Sequence, residues 1–217
     1  EVSPEVLIPR PETELLIETA LAWARTHPPL GPAYRFMDIG TGSGIIPVTL
    51  AVHLSSAEIT ATDISPAALT IARKNAQKHG VDERIRFEKA DLLDNLIFEE
   101  ASLRGSNIES SKTRTFDILT ANLPYIPTAT LQTLEIYGRE PTLALDGGPD
   151  GLQLISRLLN QITAKRVTVR LLLLEIEARQ GAAVSALARQ HFPAADIQIK
   201  KDLAGQDRLA VILSSNT

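Results

Sequence analysis

The fold of this chain is decided by the stretch Phe36-Met37-Asp38-Ile39-Gly40-Thr41-Gly42-Ser43-Gly44. A short apolar run ends in a carboxylate, three glycines follow at alternate positions, and the apolar run after them resembles the start of a buried helix. This order predicts a strand, a tight turn and a helix N-terminus. Glycine permits a positive φ and lets a ligand approach bare backbone. The stretch therefore indicates either an ordinary turn or a turn that binds a nucleotide-like ligand.

Asp63 favours the ligand-binding interpretation. It ends a second apolar run about 20 residues further on, where an acid for ribose hydroxyls is expected. The glycine spacing differs from that of dinucleotide-binding turns, and no Gly-Lys-Ser/Thr follows for a nucleoside triphosphate. An adenosine ligand without a pyrophosphate fits better, and S-adenosyl-L-methionine is the natural candidate.

The composition is that of an ordinary globular chain, with 217 residues, 44% hydrophobic and 22% charged. A net charge of −4 argues against bulk electrostatic binding of nucleic acid, although a local basic patch stays open. The chain has no cysteine and no apolar run near the roughly 18 residues of a membrane span. Its four histidines lie far apart, so we expect no metal site. These features favour a cytoplasmic protein without a membrane partner.

Strand and helix signals alternate along the chain. Strands are predicted at 36–39, 59–63, 85–88, 116–121, 167–176, 197–200 and 209–213, helices at 12–26, 45–51, 65–79, 152–163 and 180–191, and a surface loop at 99–115. The alternation predicts an α/β fold with a doubly wound, mostly parallel, Rossmann-like sheet of seven strands. Asp38, Asp63, Asp91 and Asn122 all fall at predicted carboxyl ends of strands, where ligands bind in such sheets.

A second informative stretch is Asn122-Leu123-Pro124-Tyr125, which we call the corner. It offers two outward acceptors, Asn122 Oδ1 and the Leu123 carbonyl, which could hold an –NH2 group by both hydrogens while Tyr125 packs against its plane. An amide nitrogen is a poor nucleophile, so orientation and electrostatics would supply the catalysis. The alternative is a strand-end turn with a packed tyrosine.

Both stretches together resemble class I S-adenosyl-L-methionine-dependent methyltransferases of the amino-methylating group, which carry an (Asn/Asp)-Pro-Pro-(Tyr/Phe) corner. More narrowly, the chain resembles the release factor glutamine methyltransferase family from near residue 5 to its end. The other matching segments are Leu7 to Glu14, Glu140 to Gly148, Leu173 to Ile176 and Asp202 to Arg208. Two departures are Leu123, where the family has proline, and Ala164 to Val167, where it usually has a Gly-Gly turn.

The resemblance implies methyl transfer from S-adenosyl-L-methionine to the side-chain nitrogen N5 of a protein glutamine, with a peptide chain release factor as the expected partner. The implied cofactor-binding residues are Asp38, Gly40, Thr41, Gly42, Ser43, Gly44, Asp63, Asp91, Leu92 and Asn122. The implied catalytic residues are Asn122, Leu123, Pro124 and Tyr125, which are also implied to bind substrate together with Arg10. Asp38 could instead merely cap the glycine turn, and we expect the pairs Glu99/Glu100 and Glu175/Glu177 to be solvated.

The resemblance also implies a division of the chain. We expect residues 1–30 to form an interdomain linker and leading helix, residues 31–217 to form the methyltransferase domain, and the family's N-terminal helical domain to be absent. Two other functions stay open. One is amino-methylation of adenine or another nucleobase after base flipping, which the net acidity disfavours, so nucleic acid is not the expected substrate. The other is a cofactor-binding module that has lost catalysis.

Overall fold

The structure is a computed structural model that describes residues 1–3, 6–96 and 114–214. The strands in these ranges are β1 (Tyr34–Ile39), β2 (Ala57–Asp63), β3 (Ile85–Lys89), β4 (Arg114–Ala121), β5 (Val167–Glu175), β6 (Asp196–Lys201) and β7 (Asp207–Leu213). The α-helices are α1 (Thr13–Thr26), α2 (Ile45–His53), α3 (Pro66–Lys78), α4 (Thr128–Leu131), α5 (Gln153–Ala164) and α6 (Gly181–His191), and short 3-10 helices span Asp82–Arg84 and Thr142–Ala144.

The described strands form one sheet in the order β3-β2-β1-β4-β5-β7-β6. Only β7 runs antiparallel to its neighbours, β5 and β6; the pairs among β1 to β5 are parallel. The predicted α/β, mostly parallel, seven-stranded sheet is therefore confirmed. The chain proceeds from β1 towards β3 on one side and from β4 on the other, so the order reverses between β1 and β4. In such folds the ligand crevice lies beyond the carboxyl ends of the strands at this reversal.

The two faces of the sheet bury separate apolar clusters. Alternate residues of one strand contribute to opposite faces, so Leu171 and Leu173 pack on the face covered by α1 and α2. Leu172 and Leu174 pack on the opposite face with α5 and α6. This period of two is what a strand covered on both sides requires, and it explains why β5 is so uniformly apolar.

The ends of α3 follow the signals in the sequence. Ser65 is the N-cap, and its Oγ accepts a hydrogen bond of 3.2 Å from the Ala68 N–H, with Pro66 in the first turn. Gly80 follows the helix with a φ of +66°. The predicted loop at 99–115 falls mostly outside the described residues, and its last two positions belong to β4. No helix in the described ranges has the length and apolarity that a membrane crossing requires.

Candidate active site

The glycine turn after β1 has three left-handed backbone positions. The φ values are +72° at Gly40, +54° at Gly42 and +80° at Gly44. A Cβ on Gly44 would stand 2.9 Å from the Cβ of Ala72, whereas a Cβ on Gly42 would meet no protein atom within 4 Å. Gly44 therefore allows α3 to pack closely against the turn, and Gly42 leaves bare backbone facing open space.

That open space is a cavity of about 260 Å³ at the carboxyl ends of the strands, which we call the first cavity. Among the predicted cofactor residues it is lined by Gly40, Thr41, Gly42, Ser43, Asp63, Asp91, Leu92 and Asn122. The apolar side chains of Ile64 and Leu154 also line it. Bare backbone, a carboxylate and an apolar wall suit the amino-acid, ribose and purine parts of S-adenosyl-L-methionine, so the residues fit this cofactor.

Asp63 ties the glycine turn to the start of α3. Its Oδ2 accepts a hydrogen bond of 2.9 Å from the Gly42 N–H, and its Oδ1 accepts one of 2.8 Å from the Ser65 N–H. Burial raises the pKa of Asp63, and these backbone donors oppose the shift. A carboxylate oxygen can accept more than one bond, so Asp63 retains acceptor capacity towards the cavity. Its role at the ribose remains a prediction.

Asp38 lies beneath the turn and does not line the first cavity. It is 1% exposed, and its Oδ1 accepts a hydrogen bond of 2.6 Å from the Thr120 hydroxyl. Its Oδ2 is buried without a hydrogen-bond partner in the described part of the chain. Burial raises the pKa of Asp38 to about 6. Direct contact between Asp38 and a cofactor therefore stays a prediction. Contact between the cofactor and Gly44, which is the N-cap of α2, also stays a prediction.

Asp91 and Leu92 line another part of the wall of the first cavity. Asp91 Oδ2 accepts a hydrogen bond of 2.8 Å from Arg157 of α5, and the two side chains form an ion pair. Leu92 is buried and has a φ of +56°, which a leucine rarely adopts. The strained backbone turns Leu92 into the cavity wall, where an apolar surface suits a purine ring.

The corner separates the first cavity from a second one. Asn122, Leu123 and Pro124 line both, whereas Tyr125 and Arg10 line only the second cavity, of about 240 Å³. A group bound in the second cavity would thus share one wall with a ligand in the first. The structure brings all five predicted substrate residues together around the second cavity.

Hydrogen bonding orients the two predicted acceptors of the corner. Asn122 Nδ2 donates to the Thr13 hydroxyl at 3.1 Å, so Oδ1 is the atom left for a ligand. No backbone N–H in the described ranges donates to the Leu123 carbonyl. The Leu123 side chain is buried, and a Cβ on Gly40 would stand 3.0 Å from its Cδ2. Leu123 therefore packs against the glycine turn while its carbonyl stays available.

A loop with glycines at positions 147, 148 and 151, which we call the glycine loop, encloses Tyr125. A Cβ on Gly147 would stand 2.8 Å from the Tyr125 Cα, and a Cβ on Gly151 would overlap the Tyr125 carbonyl oxygen. That oxygen also accepts a hydrogen bond of 3.1 Å from Gln180 Nε2. Burial, the largest effect, and the nearby Glu175 carboxylate raise the pKa of Tyr125 to about 12, so its phenol is neutral. These contacts hold the corner rigidly.

Arg10 joins the N-terminal segment to the segment that precedes the glycine loop. Its guanidinium forms an ion pair of 2.5 Å with Glu140 Oε1, and Glu140 Oε2 accepts a hydrogen bond of 3.3 Å from the Ile8 N–H. Arg10 lines the second cavity, and its implied role in substrate binding stays a prediction.

The expectation that Glu175 is solvated is wrong. Its side chain is 1% exposed, and its Oε2 accepts a hydrogen bond of 2.9 Å from the Thr13 hydroxyl. Burial raises the pKa of Glu175 to about 7. The sequence pattern alone does not assign Thr13 or Glu175 to the site, although a carboxylate at the end of the most apolar strand is a usable signal. No cluster of three or more potential metal ligands occurs within residues 6–96 and 114–214.

Comparison with known proteins identifies similar sequences and folds. A family model described as a methyltransferase domain matches residues 30–160. The release factor glutamine methyltransferase of Moorella thermoacetica is 44% identical over 96% of this chain and 67% of that protein. The one from Thermosynechococcus vestitus is 38% identical over 95% of this chain and 66% of that protein. The chain thus spans about two thirds of the length of these relatives.

The fold also has solved counterparts. A crystal structure of the hMettl16 catalytic domain in complex with MAT2A 3'UTR hairpin 6 aligns with a TM-score of 0.70 at 18% identity. The alignment covers 100% of this chain and 75% of that chain. At this identity the similarity shows the fold alone.

Proposed function

Because this chain belongs to the release factor glutamine methyltransferase family, we propose that it methylates the side-chain nitrogen N5 of a glutamine in a peptide chain release factor. S-adenosyl-L-methionine is the methyl donor in this proposal. The observation that carries it is the shared wall: Asn122, Leu123 and Pro124 face a cavity suited to the cofactor and a second one that could admit a side chain.

The corner's own contribution is to hold and orient an –NH2 group. Asn122 Oδ1 and the Leu123 carbonyl each accept one N–H of the glutamine amide, and the enclosed Tyr125 borders the same cavity. When bound, S-adenosyl-L-methionine supplies an electrophilic methyl group. The amide nitrogen gains positive charge as it bonds to carbon, so its N–H bonds become stronger donors. The two acceptors therefore stabilise the transition state more than the ground state.

The rest of the site keeps this wall in place. Bare backbone at Gly42 and the carboxylate of Asp63 would hold the cofactor in the first cavity, and Arg10, which pairs with Glu140, lines the second. A cytoplasmic location belongs to the same proposal, since a release factor acts in translation. So does the division of the chain into a linker with leading helix at residues 1–30 and a methyltransferase domain at 31–217.

The test is a substrate panel with methyl-labelled S-adenosyl-L-methionine. Release factor, duplex DNA and RNA are offered separately to the parent chain and to Asn122→Ala, at saturating cofactor. We expect label in release factor, with Asn122→Ala slower by about 100-fold, the scale for losing one preorganised polar group. Label that enters DNA or RNA but not release factor would favour the nucleobase alternative. If Asn122→Ala transfers methyl at the parent rate, the corner is only a strand-end turn without a catalytic role.

A further inference from the structure

A buried hydrogen-bond chain leads away from the corner. Asn122 Nδ2 donates to Thr13 Oγ1 at 3.1 Å, and the Thr13 hydroxyl donates to Glu175 Oε2 at 2.9 Å. The three residues come from three elements: the segment after β4, the first residue of α1, and the carboxyl end of β5. Thr13 is 3% exposed and Glu175 is 1% exposed, so water does not compete for these bonds.

The carboxylate of Glu175 sets the donor-to-acceptor direction of these hydrogen bonds. An ionised carboxylate can only accept hydrogen bonds, so the single hydroxyl hydrogen of Thr13 must point to Glu175. The hydroxyl then has only lone pairs for Asn122 and must receive an N–H from it. Asn122 is thereby held with Nδ2 towards Thr13 and Oδ1 away from it. A protonated Glu175 could donate to Thr13 instead, and the freed hydroxyl hydrogen of Thr13 could then be donated to Oδ1 of a flipped Asn122 amide.

Glu175 is a costly residue for the fold to keep. Among the described residues its Oε1 has no partner within hydrogen-bond geometry, and burial disfavours its charged form, whereas the Thr13 hydroxyl and the nearby Asn122 amide favour it. The charged or titratable groups that face it are Arg208 of β7, which favours ionisation, and Glu12 and Tyr125, of which Glu12 opposes it. An apolar side chain would stabilise this strand end better, so the carboxylate is better explained by the site than by the core.

We propose that Glu175, acting through Thr13, is a positioning residue that fixes the Asn122 amide with its oxygen towards the second cavity. This inference rests on the proposed function, because the oxygen matters only if it holds the substrate –NH2. It also explains why two segments that match the family, around Thr13 and Glu175, meet at the corner, where Thr13 borders the first cavity and Glu175 lines neither cavity.

The test uses Thr13→Val, Thr13→Ser and Glu175→Gln, with Asp117→Asn as the matched control. Asp117 is also a buried carboxylate, but it pairs with Arg170 towards the opposite end of the sheet. Single-turnover methyl transfer to release factor is measured at saturating cofactor between pH 5.5 and 8.5. Thermal unfolding of each variant confirms that it is folded. Calorimetry gives the cofactor affinity of Glu175→Gln and of both Thr13 variants, because Glu175 lines neither cavity whereas Thr13 lines the first.

We expect Thr13→Val to lower the rate by about 10-fold, the scale of one net hydrogen bond, and Thr13→Ser to restore it to within about 3-fold of the parent. The parent rate should rise with pH as Glu175 ionises, with a midpoint near its pKa of about 7. Glu175→Gln should flatten that rise without changing cofactor affinity, and Asp117→Asn should keep it.

The failures are distinguishable. If the parent does not methylate release factor, the proposed function is wrong and the positioning role falls with it. If the parent is active but Thr13→Val and Glu175→Gln keep its rate and its pH profile, only the positioning role is wrong. If Thr13→Ser is as slow as Thr13→Val in a folded protein, the hydroxyl is not the element that matters, and the inference is likewise overturned.

Discussion

Alanine at Gly42 and at Gly44 should damage this protein in two different ways. Both residues have a positive φ, +54° and +80°, where an L-residue costs roughly 1–2 kcal/mol. At Gly44 the new methyl would also stand 2.9 Å from the Ala72 Cβ, and such overpacking costs a further ~1–3 kcal/mol. Gly42→Ala meets no protein atom within 4 Å, so it carries the backbone cost alone.

The expected loss in the free energy of unfolding is therefore about 1–2 kcal/mol for Gly42→Ala and about 2–5 kcal/mol for Gly44→Ala. Gly205→Ala is the control, because Gly205 has a φ of +78° in open space away from both cavities. It reports the backbone cost without packing or ligand effects. Equilibrium unfolding in urea measures all three variants against the parent.

Cofactor binding should rank the variants in the opposite order. The Gly42 methyl would occupy the first cavity, so Gly42→Ala should weaken S-adenosyl-L-methionine binding by about 10-fold or more, or about 1.4 kcal/mol. Folded Gly44→Ala should bind closer to the parent. The reasoning is refuted if Gly44→Ala unfolds within about 0.5 kcal/mol of Gly205→Ala, the usual error of such differences, or if Gly42→Ala binds the cofactor normally.

Three further predictions follow from the carboxylates and the corner. Asp63→Ala should weaken cofactor binding by ~1–3 kcal/mol; unchanged affinity by calorimetry in a folded variant would remove Asp63 from the site. Leu123→Pro should keep methyl transfer near the parent rate, because the carbonyl survives. Its free energy of unfolding in urea should fall by about 1–2 kcal/mol, because buried packing of the leucine is lost. A large loss of turnover would show that leucine itself is needed. Because burial raises the pKa of Asp38 to about 6, the charged form of Asp38 destabilises the fold relative to the neutral form. Between pH 4 and pH 7 the free energy of unfolding of the parent should therefore fall by up to about 3 kcal/mol relative to that of Asp38→Asn. Identical pH dependence of unfolding in the two proteins would contradict that sign.

Much of the fold could be predicted because its signals are local. Ser65 and Pro66 start α3 through contacts within one turn, and the alternation of Leu171 to Leu174 follows from the pleat of a strand covered on both faces. The four-residue helix α4 was not predicted, since so short an element has no periodicity to detect.

The site could be predicted only in part, because some of its contacts join distant segments. Residues at strand ends were found from their position alone. The bond between Thr13 and Glu175 spans 162 positions, and the pair Arg10–Glu140 spans 130, so neither leaves a pattern in the sequence. For the same reason the sequence predicts a solvated Glu175, whereas the folded chain buries it.

The position of the transferred methyl group in release factor tests the central claim most directly. Release factor is incubated with this chain and S-adenosyl-L-methionine, digested, and analysed by tandem mass spectrometry. The account predicts one added methyl on the side-chain amide nitrogen of a glutamine, and its near disappearance when Asn122→Ala replaces the parent. A methyl group on a lysine, an arginine or the backbone, or an unchanged glutamine product with Asn122→Ala, would contradict it.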